Sequence, residues 1–567
     1  MDQERLKKLE KLKELDNPYP HKFEVDRFIE DIRQMFEKDP SGEEVCIKGR
    51  VKRVSKIDEG FLVRVADQEG VEMLVITAHN LNQGEEYILK GKLVRYEGKL
   101  TLKDAEPSDN QAIDIKSLKE AYDFDPNFYQ VRLAGRLVSL RSMGKAIFGH
   151  LQDATGKVQI YIKKDVVGDE KFKVFDELFD VGDIVGVVGR LFRTSTGELT
   201  VEVQDFKMLA KSLHPLPEKW HGLKDVEVRY RQRYLDLIAN EKARRITLLR
   251  SKLLSEIRKF LEERGFIEAE TPVLQHIASG ANAKPFITYH NYLEQNLYLR
   301  IAPELYLKRL IVGGFNRVYE LGKNFRNEGV DTTHNPEFTM LEFYCAYWDY
   351  KDLMEFTQEL FSHLLKKLVG SLKITYQNYT LDFTPPYKVY RYFDLLLEKT
   401  GKDKDFFLRH EKEVRKLAAQ LGIPKAQELT HAKLLDKIFD VLVEDELIGP
   451  AFVMDFPKLL SPLAKTHRED EDLVERFELF VAGKEIANAY TELNDPIEQR
   501  DRFLQQIKEK EMGDEEAMQM DEDFITALEY GMPPTAGEGI GIDRLVMLLA
   551  DVDSIREVIL FPALRQR

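Results

Sequence analysis

Residues 316–347 read NRVYELGKNFRNEGVDTTHNPEFTMLEFYCAY. Two apolar runs, NRVYEL and TMLEFYCAY, flank a stretch (325–338, FRNEGVDTTHNPEF) with one arginine, three carboxylates, one histidine, two asparagines and two phenylalanines. The flanks read as buried strands adjacent in sequence, an arrangement that favours antiparallel pairing over a βαβ repeat. Charge placed between buried strands usually answers charge on a ligand. Arg326 can fork onto a phosphate or carboxylate. Phe338 offers a flat face to a purine, and His334 and Glu328 could reach a phosphate tail and an amino group. Read alone, the stretch is equally compatible with a purely structural ion-pair loop.

On the N-terminal side, residues 246–264 carry Ile246, Leu249, Leu253, Ile257 and Phe260 on one face of an expected helix, with Gly265 where a C-cap glycine belongs. FIEAETPVL then reads as a strand ending near Pro272. Strands and helices alternate beyond it, interrupted by a mostly helical insertion at about 388–447. In ERFELFVAGKEIANAYTELND, Glu478 and Glu485 stand seven apart, with Asn488 and Glu492 following. Two carboxylates beside a phosphate site suit Mg²⁺, which binds through few carboxylates plus substrate oxygens. In GEGIGIDRLVMLLADVDSIREVILFP, Gly537, Gly539 and Gly541 precede a helix whose first turn holds Arg544. Such glycines let backbone approach a nucleotide, although helix packing explains them equally well.

The first half repeats itself. Residues 45–106 and 131–206 share Gly49-Arg50 with Gly135-Arg136, Asp67…Gly70 with Asp153…Gly156, and Gly84, Gly91 and Leu100-Thr101 with Gly182, Gly189 and Leu199-Thr200. Alternating strands broken by glycine turns predict two tandem OB-like barrels, a fold that often binds single-stranded nucleic acid, against the alternative of a single elongated β-domain. Phe148, Gln159, Glu198 and Arg136 in the second copy could stack and read an unpaired base. Opposite them the first copy has Leu62, Met73 and Lys99, with Arg50 kept and Phe61 one place out of register, as in an auxiliary barrel. Before both, Arg5, Lys7, Lys8, Lys11 and Lys13 accompany Leu6, Leu9, Leu12 and Leu15, predicting a solvated mixed-charge helix or a short arm that touches RNA.

A formal charge of -15 argues against indiscriminate nucleic-acid binding. Cys46 and Cys345 cannot form a disulfide framework or a cysteine zinc site, no run approaches membrane-spanning length, and the charged N-terminus has no signal-peptide core. The expectation is a reduced, cytoplasmic protein with no membrane contact.

Taken together, these segments resemble the class II aminoacyl-tRNA synthetases, in their Asp/Asn/Lys subgroup and specifically the lysyl-tRNA synthetases. GFIEAETPVL resembles motif 1, FRNEGVDTTHNPEFTMLEF motif 2 and GIGIDRLVMLLADVDSIREVILFP motif 3; RIAPELYLKRLIVGGFNRVYELG, AKPFITYHN, LSPLAKTHR and NAYTELNDP are similar to other family segments. The resemblance runs almost continuously over about 130–567 and leaves the first barrel outside it. It implies an α+β protein: an antiparallel-sheet catalytic domain preceded by two tandem OB-fold-like barrels and a short N-terminal helix. The expected domains are 1–42 (helical extension), 43–112 (additional barrel), 129–212 (anticodon-binding barrel) and 229–567 (catalytic).

By position, the resemblance implies that Arg326 and Arg544 are the catalytic arginines. ATP, as substrate, falls to Arg326, Glu328, His334, Asn335, Phe338, Glu478, Gly541 and Arg544. Lysine falls to Gly280, Glu304, Arg326, Glu342, Tyr344, Asn488, Tyr490 and Glu492. Mg²⁺ falls to Glu478 and Glu485, and the tRNA(Lys) anticodon to Arg136, Phe148, Gln159 and Glu198. A homodimer through the motif 1 region is implied, with Ile257 and Phe260 as trial interface positions. Ser279 stands where the family usually has Gly. The rival readings are a silent RNA-binding or regulatory paralogue and an amino-acid ligase that does not use tRNA.

Overall fold

The computed structural model describes residues 2–22, 24, 44–57, 60–66, 72–96, 99–107, 130–216, 225–511 and 516–565. The expected Asp67…Gly70 turn, nearly all of 23–43, the 108–129 connection and most of the linker (217–224) lie outside them. The chain divides into two compact units, Met1–Glu218 and Lys219–Arg567.

The first unit holds helix α1 (Gln3–Leu15) and two closed barrels. The first barrel is β1 (Glu44–Ile57), β2 (Gly60–Ala66), β3 (Glu72–Thr77), β4 (Glu86–Tyr96) and β5 (Lys99–Pro107). The second is β6 (Gln130–Met143), β7 (Ala146–Gln152), β8 (Lys157–Lys163), β9 (Ile184–Arg193) and β10 (Leu199–Ala210). Strand order is the same in both, β1-β2-β3-β5-β4 against β6-β7-β8-β10-β9, and each closes between its first and fourth strands. The shared glycines mark close crossings: a Cβ on Gly49 would lie 2.9 Å from the Ala66 carbonyl oxygen, and one on Gly135 2.9 Å from that of Gln152.

Register corrects one equivalence. Leu74 pairs with Thr101 where Gln159 pairs with Thr200, so Leu74, not Met73, is the counterpart of Gln159. Met73 is 2% exposed and faces the barrel interior, because the side-chain period of two puts alternate residues inside. Helix α1 is neither a solvated helix nor a free arm. Leu12 joins the core of the second barrel, Arg5 donates to the carbonyls of Val181 (3.0 Å) and Ser212 (3.2 Å), and Lys8 pairs with Asp180 at 2.8 Å.

The second unit is built on an eight-stranded sheet. Its strands are β11 (Ile267–Glu268), β15 (Arg317–Phe325), β16 (Glu337–Ala346), β19 (Lys388–Arg391), β20 (Ala451–Met454), β21 (Arg476–Val481), β22 (Lys484–Thr491) and β23 (Thr535–Gly541). They lie in the order β11-β15-β16-β23-β22-β21-β20-β19. Only the outermost pairs, β11–β15 and β19–β20, are parallel. Beside it are a three-stranded sheet of β12 (Leu274–Gln275), β13 (Ile287–His290) and β14 (Gln295–Leu299), and a hairpin of β17 (Lys373–Tyr376) and β18 (Tyr379–Asp382).

Helices α2 (Glu241–Glu262) and α3 (Tyr350–Leu368) pack Leu253, Ile257, Phe260, Leu353, Phe356 and Leu360 into the main core. Helix α2 starts five residues before the expected 246, where Asn240 caps it by accepting from Lys242 N. Gly265 takes φ +77° just past its end. Ile257 and Phe260, 1% and 0% exposed, are core residues and cannot form an interface, which corrects the trial positions. The strand expected to reach Pro272 stops at Glu268. Thr271 turns aside to donate its N–H and hydroxyl to Glu320 (3.1 and 2.7 Å), and Pro272 has no N–H for a ladder. The helical insertion begins after 391 rather than at 388, since 388–391 is a sheet strand; its helices enclose a separate core around Tyr392, Phe407, Leu434 and Ile438. No described helix is long and apolar enough to cross a membrane.

Candidate active site

The charged stretch is the connection between β15 and β16, which pair from Arg317↔Cys345 to Phe325↔Glu337. Some of its charge is structural. The Asp331 carboxylate accepts from the backbone of Thr333 and His334 (2.7 Å each) and lies 2.9 Å from His334 Nδ1. Partial burial opposes ionisation, but these bonds hold Asp331 well below the usual carboxylate range. Asn335 is a second brace, donating to Glu337 O (2.5 Å) and accepting from Ala563 N (3.0 Å).

Arg326 is different. Its guanidinium lies 5.1 Å from the centre of the Phe338 ring, and its Nε is buried with no hydrogen-bond partner. Burial pulls its pKa below the usual arginine value against the pull of Glu328, Glu485 and Glu342. No carboxylate among the described residues is in contact with this cation, and the loop opens on a cavity of about 520 Å³. Every residue expected from sequence to bind ATP, lysine or Mg²⁺ lines that cavity except Glu492.

At one end lie three carboxyl groups and one ammonium. Helix α4 (Glu304–Val312) starts with Glu304, and one turn later Lys308 Nζ lies 2.6 Å from Glu304 Oε1. Lys308 also pairs with Glu492, and the Tyr490 hydroxyl donates to Glu304 at 2.7 Å. Burial pulls the Lys308 pKa down, but Glu304 and Glu492 outweigh it and hold the pKa above the ordinary value. Glu342 has no cation in contact with it among the described residues, and Arg326 and Arg300 act on it only from a distance. Burial first, then the nearby Glu304 charge, pushes its carboxyl up to about 8. Its nearest polar neighbours are Asn324 Nδ2 and the Tyr344 hydroxyl, each at 3.4 Å. Sequence reading missed Lys308, although a lysine four residues after Glu304 on the helix ELYLKRLIV was the signal. Gly537, expected from sequence to let backbone approach a nucleotide, is needed here for a different reason: a Cβ on it would overlap the Glu492 carboxylate and the Tyr344 ring. Gly280 takes φ +93°, and the neighbouring Ser279 hydroxyl is buried without a partner.

At the other end are Glu478 and Glu485. The hairpin between β21 and β22 turns through Ala482 and Gly483, both at positive φ (52° and 68°), as a two-residue turn of that twist requires. Register then slips: Phe480 faces Glu485 but Leu479 faces Ala487, leaving Ile486 as the bulged residue. The bulge brings Glu485 onto the face of Glu478 and Asn488, three residues away, which simple alternation forbids. Glu478 pairs with Arg476, an i, i+2 neighbour on the same face that sequence reading also missed. Burial, with Glu485, Asp436 and Glu444 nearby, pushes Glu478 well above the carboxylate range. Arg544 Nη1 donates to Glu485 O at 2.7 Å and stands 3.5 Å from its carboxylate. Among the described residues no three His, Cys, Asp or Glu side chains are placed to hold a metal ion by themselves. A two-carboxylate donor set fits an ion that takes its remaining oxygens from phosphates.

On the second barrel, Phe148 stacks on Tyr161 (centroids 4.7 Å apart). Gln159 donates to Glu198 (2.9 Å), Glu198 lies 2.9 Å from His150 Nε2, and the Thr200 hydroxyl donates to Gln159 at 2.9 Å. Three of the four expected readers thus share one outer face. Arg136 instead folds onto the carbonyl of Gly182 at 2.6 Å. His150 and Tyr161 were not anticipated, although period-two spacing from Phe148 and Gln159 places them on that face.

Residues 225–565 match the family model described as tRNA synthetases class II (D, K and N), and residues 131–209 match that of the OB-fold nucleic acid binding domain. The chain is 66% identical over 568 residues to a lysine–tRNA ligase of Aquifex aeolicus, covering 100% of this chain and 95% of that protein. It is 54% identical over 441 residues to one from Carboxydothermus hydrogenoformans (77% of this chain, 89% of that one). To one from Halalkalibacterium halodurans it is 51% identical over 470 residues (83% and 93%). With a family model spanning its second unit and this identity along its full length, the chain belongs to the class II tRNA synthetases of the D, K and N group, among the lysine–tRNA ligases.

Proposed function

We propose that the chain activates L-lysine with ATP and transfers it to tRNA(Lys). The observation that carries the choice of amino acid is that Glu342 has no cation in contact with it among the described residues: Lys308 is taken by Glu304 and Glu492, Arg326 and Arg300 act on Glu342 only from a distance, and its carboxyl is pushed up to about 8. A buried ε-ammonium needs carboxylate partners, whereas an aspartate site would need a cationic pocket.

In the first step the lysine carboxylate attacks the α-phosphorus of ATP, forming lysyl-adenylate as the bond to pyrophosphate breaks. In the second, the 3′-terminal ribose hydroxyl of tRNA attacks the activated carbonyl, giving lysyl-tRNA and releasing AMP. Arg326 aligns the α-phosphate with the lysine carboxylate and offsets charge as it builds on phosphorus. Glu328 accepts from the adenine amino group, and Phe338 and Arg544 hold the base between them. His334 and Asn335 position phosphates and ribose, with Asp331 keeping His334 in place, and Gly541 lets backbone approach the nucleotide. Glu342 and Glu304 receive the ε-ammonium; Tyr344, Asn488 and Tyr490 shape the lysine pocket, and Gly280 gives it access. Glu492 acts from behind, holding Lys308. Glu478 and Glu485 would hold Mg²⁺, which supplies charge neutralisation on the phosphates. Phe148, Gln159 and Glu198 read the anticodon from one face, and Arg136 joins them on leaving the Gly182 carbonyl.

Amino-acid-dependent ATP–pyrophosphate exchange tests this, with lysine, aspartate, asparagine and no amino acid compared. Exchange with lysine alone is expected; exchange with aspartate or asparagine would show that the Glu304–Glu342 assignment is wrong. The silent-paralogue reading requires no exchange at all, and is disfavoured by the retention of Arg326, Glu478 and Arg544 around one cavity.

A cytoplasmic location is part of this reading, supported by the tRNA substrate. Dimerisation through the motif 1 region is supported by exposed apolar side chains on the three-stranded sheet and its approach: Val273, Leu274, Ile287 (62% exposed) and Tyr289 (56%). Leu274→Asp with Ile287→Asp should convert a dimer to a monomer in sedimentation equilibrium. A wild-type chain that is monomeric at micromolar concentration would rule the dimer out.

A further inference from the structure

Because the two barrels share strand order and register, their outer faces can be compared position by position. Each first strand has a bulge at the same place, between Val51 and Arg53 and between Leu137 and Ser139. The pair just beyond it is Arg53↔Arg64 in the first barrel and Ser139↔His150 in the second. The bulged residue itself is Lys52 in one and the buried Val138 in the other. Further along, Leu62 and Ile76 pair where Phe148 and Tyr161 pair.

The face that carries stacked aromatics and a His–Glu–Gln network in the second barrel therefore carries arginine, lysine and aliphatic side chains in the first. Arg50, Lys52, Arg53 and Arg64 are all exposed. Two arginines directly opposite each other on paired strands repel, and such pairs are unfavourable unless an anion lies between them. Among the described residues, carboxylates are paired with cations here at Glu72, 3.3 Å from Arg64, and at Glu86, 3.0 Å from Lys48. This cluster of cations belongs to a chain whose net charge is -15, so it does not follow from composition.

Chemistry identifies the occupant. Without an aromatic platform or an amide–carboxylate reader, the face cannot distinguish bases, whereas guanidinium and ammonium groups bind phosphate oxygens whatever the sequence. We propose that the outer β1–β2 face of the first barrel grips the sugar-phosphate backbone of the bound tRNA, adding affinity without reading sequence. This rests on the tRNA-ligase reading and assigns a role to the barrel that lies outside both matched family models.

Deleting residues 1–112 would be a poor test, since it also removes Leu12 of α1 from the core of the second barrel. The test uses the full chain with Lys52→Gln, Arg53→Gln and Arg64→Gln combined, beside a charge-keeping Arg53→Lys, Arg64→Lys variant. Binding of tRNA(Lys) is measured across a salt series, and melting temperature and lysine-dependent ATP–pyrophosphate exchange without tRNA report on folding. The neutral variant should bind about tenfold more weakly at low salt, and its slope of log affinity against log salt should shrink by about 0.9 for each phosphate that is no longer neutralised. The lysine variant should retain most of the affinity, and changing the anticodon should cost wild type and variant the same factor. Unchanged affinity and slope would overturn the proposal and leave the face to a protein partner. A loss independent of salt would overturn it too, because phosphate binding by cations is salt-dependent. Wild-type chain that fails to bind tRNA(Lys) at all would instead overturn the ligase reading on which the proposal rests.

Discussion

Arg326→Lys should lower lysine-dependent ATP–pyrophosphate exchange by about 10²- to 10³-fold, the usual cost of removing one preorganised donor from a site of developing charge. The same substitution should leave the melting temperature nearly unchanged. Both halves follow from where the side chain sits. Its guanidinium makes no hydrogen bond among the described residues, its Nε is buried and unpartnered, and the Phe338 ring centre is 5.1 Å away. The loop is held without it, by the Arg326 N–Pro336 O bond at 2.9 Å and by the Asp331 and Asn335 braces. A lysine keeps the charge but loses the planar fork that can touch a carboxylate and a phosphate together. A loss confined to KM for ATP, with kcat intact, would mean that Arg326 binds ground state and transition state equally, against the role assigned to it.

How far the sequence can be read depends on whether a residue's role is local. The β15–β16 pair, the two barrels and the cavity glycines are written in short periodic patterns, and these are legible. The Glu478–Glu485 pair is legible as a pair, but the reason for its convergence, the bulge at Ile486, has no sequence mark. Lys308 and Arg476 escape notice because each is defined by a partner: a lysine on a helix reads as solvated until Glu492, far along the chain, closes over it. Met73 reads as outward-facing because glycine alignment fixes register only to within a residue, and a slip of one turns a side chain to the other face. The charged stretch 325–338 carries both meanings at once: Asp331 and Asn335 brace the loop, and Arg326 serves the cavity.

The second large effect concerns Glu342 and has a sign that can be checked. In the free site its carboxyl is pushed up to about 8, by burial first and by Glu304 next, from an ordinary 4.5. At pH 6 it is therefore mostly protonated, while an incoming ε-ammonium needs it ionised, so lysine binding releases a proton. Lysine affinity should accordingly rise by up to about tenfold per pH unit between about pH 6 and 8, then level off, as linkage between binding and a single titrating group requires. Without ligand the same group acts in the opposite direction on stability. The unfolded chain ionises at its ordinary value while the folded chain keeps the proton, so its contribution to stability declines as pH climbs from 4.5 towards 8. Glu342→Gln should abolish the pH-dependent part of lysine affinity. At pH 8 it should weaken binding by about 10²-fold, near 3 kcal/mol for an ammonium deprived of a charged partner, and by much less at pH 6, where the wild-type carboxyl is itself neutral. Calorimetric titration in two buffers of different ionisation enthalpy measures the released proton directly. If wild type and variant released the same number of protons and kept the same pH slope, the titrating partner of lysine would have to be another group. Glu304, already held by Lys308 and Tyr490, would then be the carboxylate to substitute next.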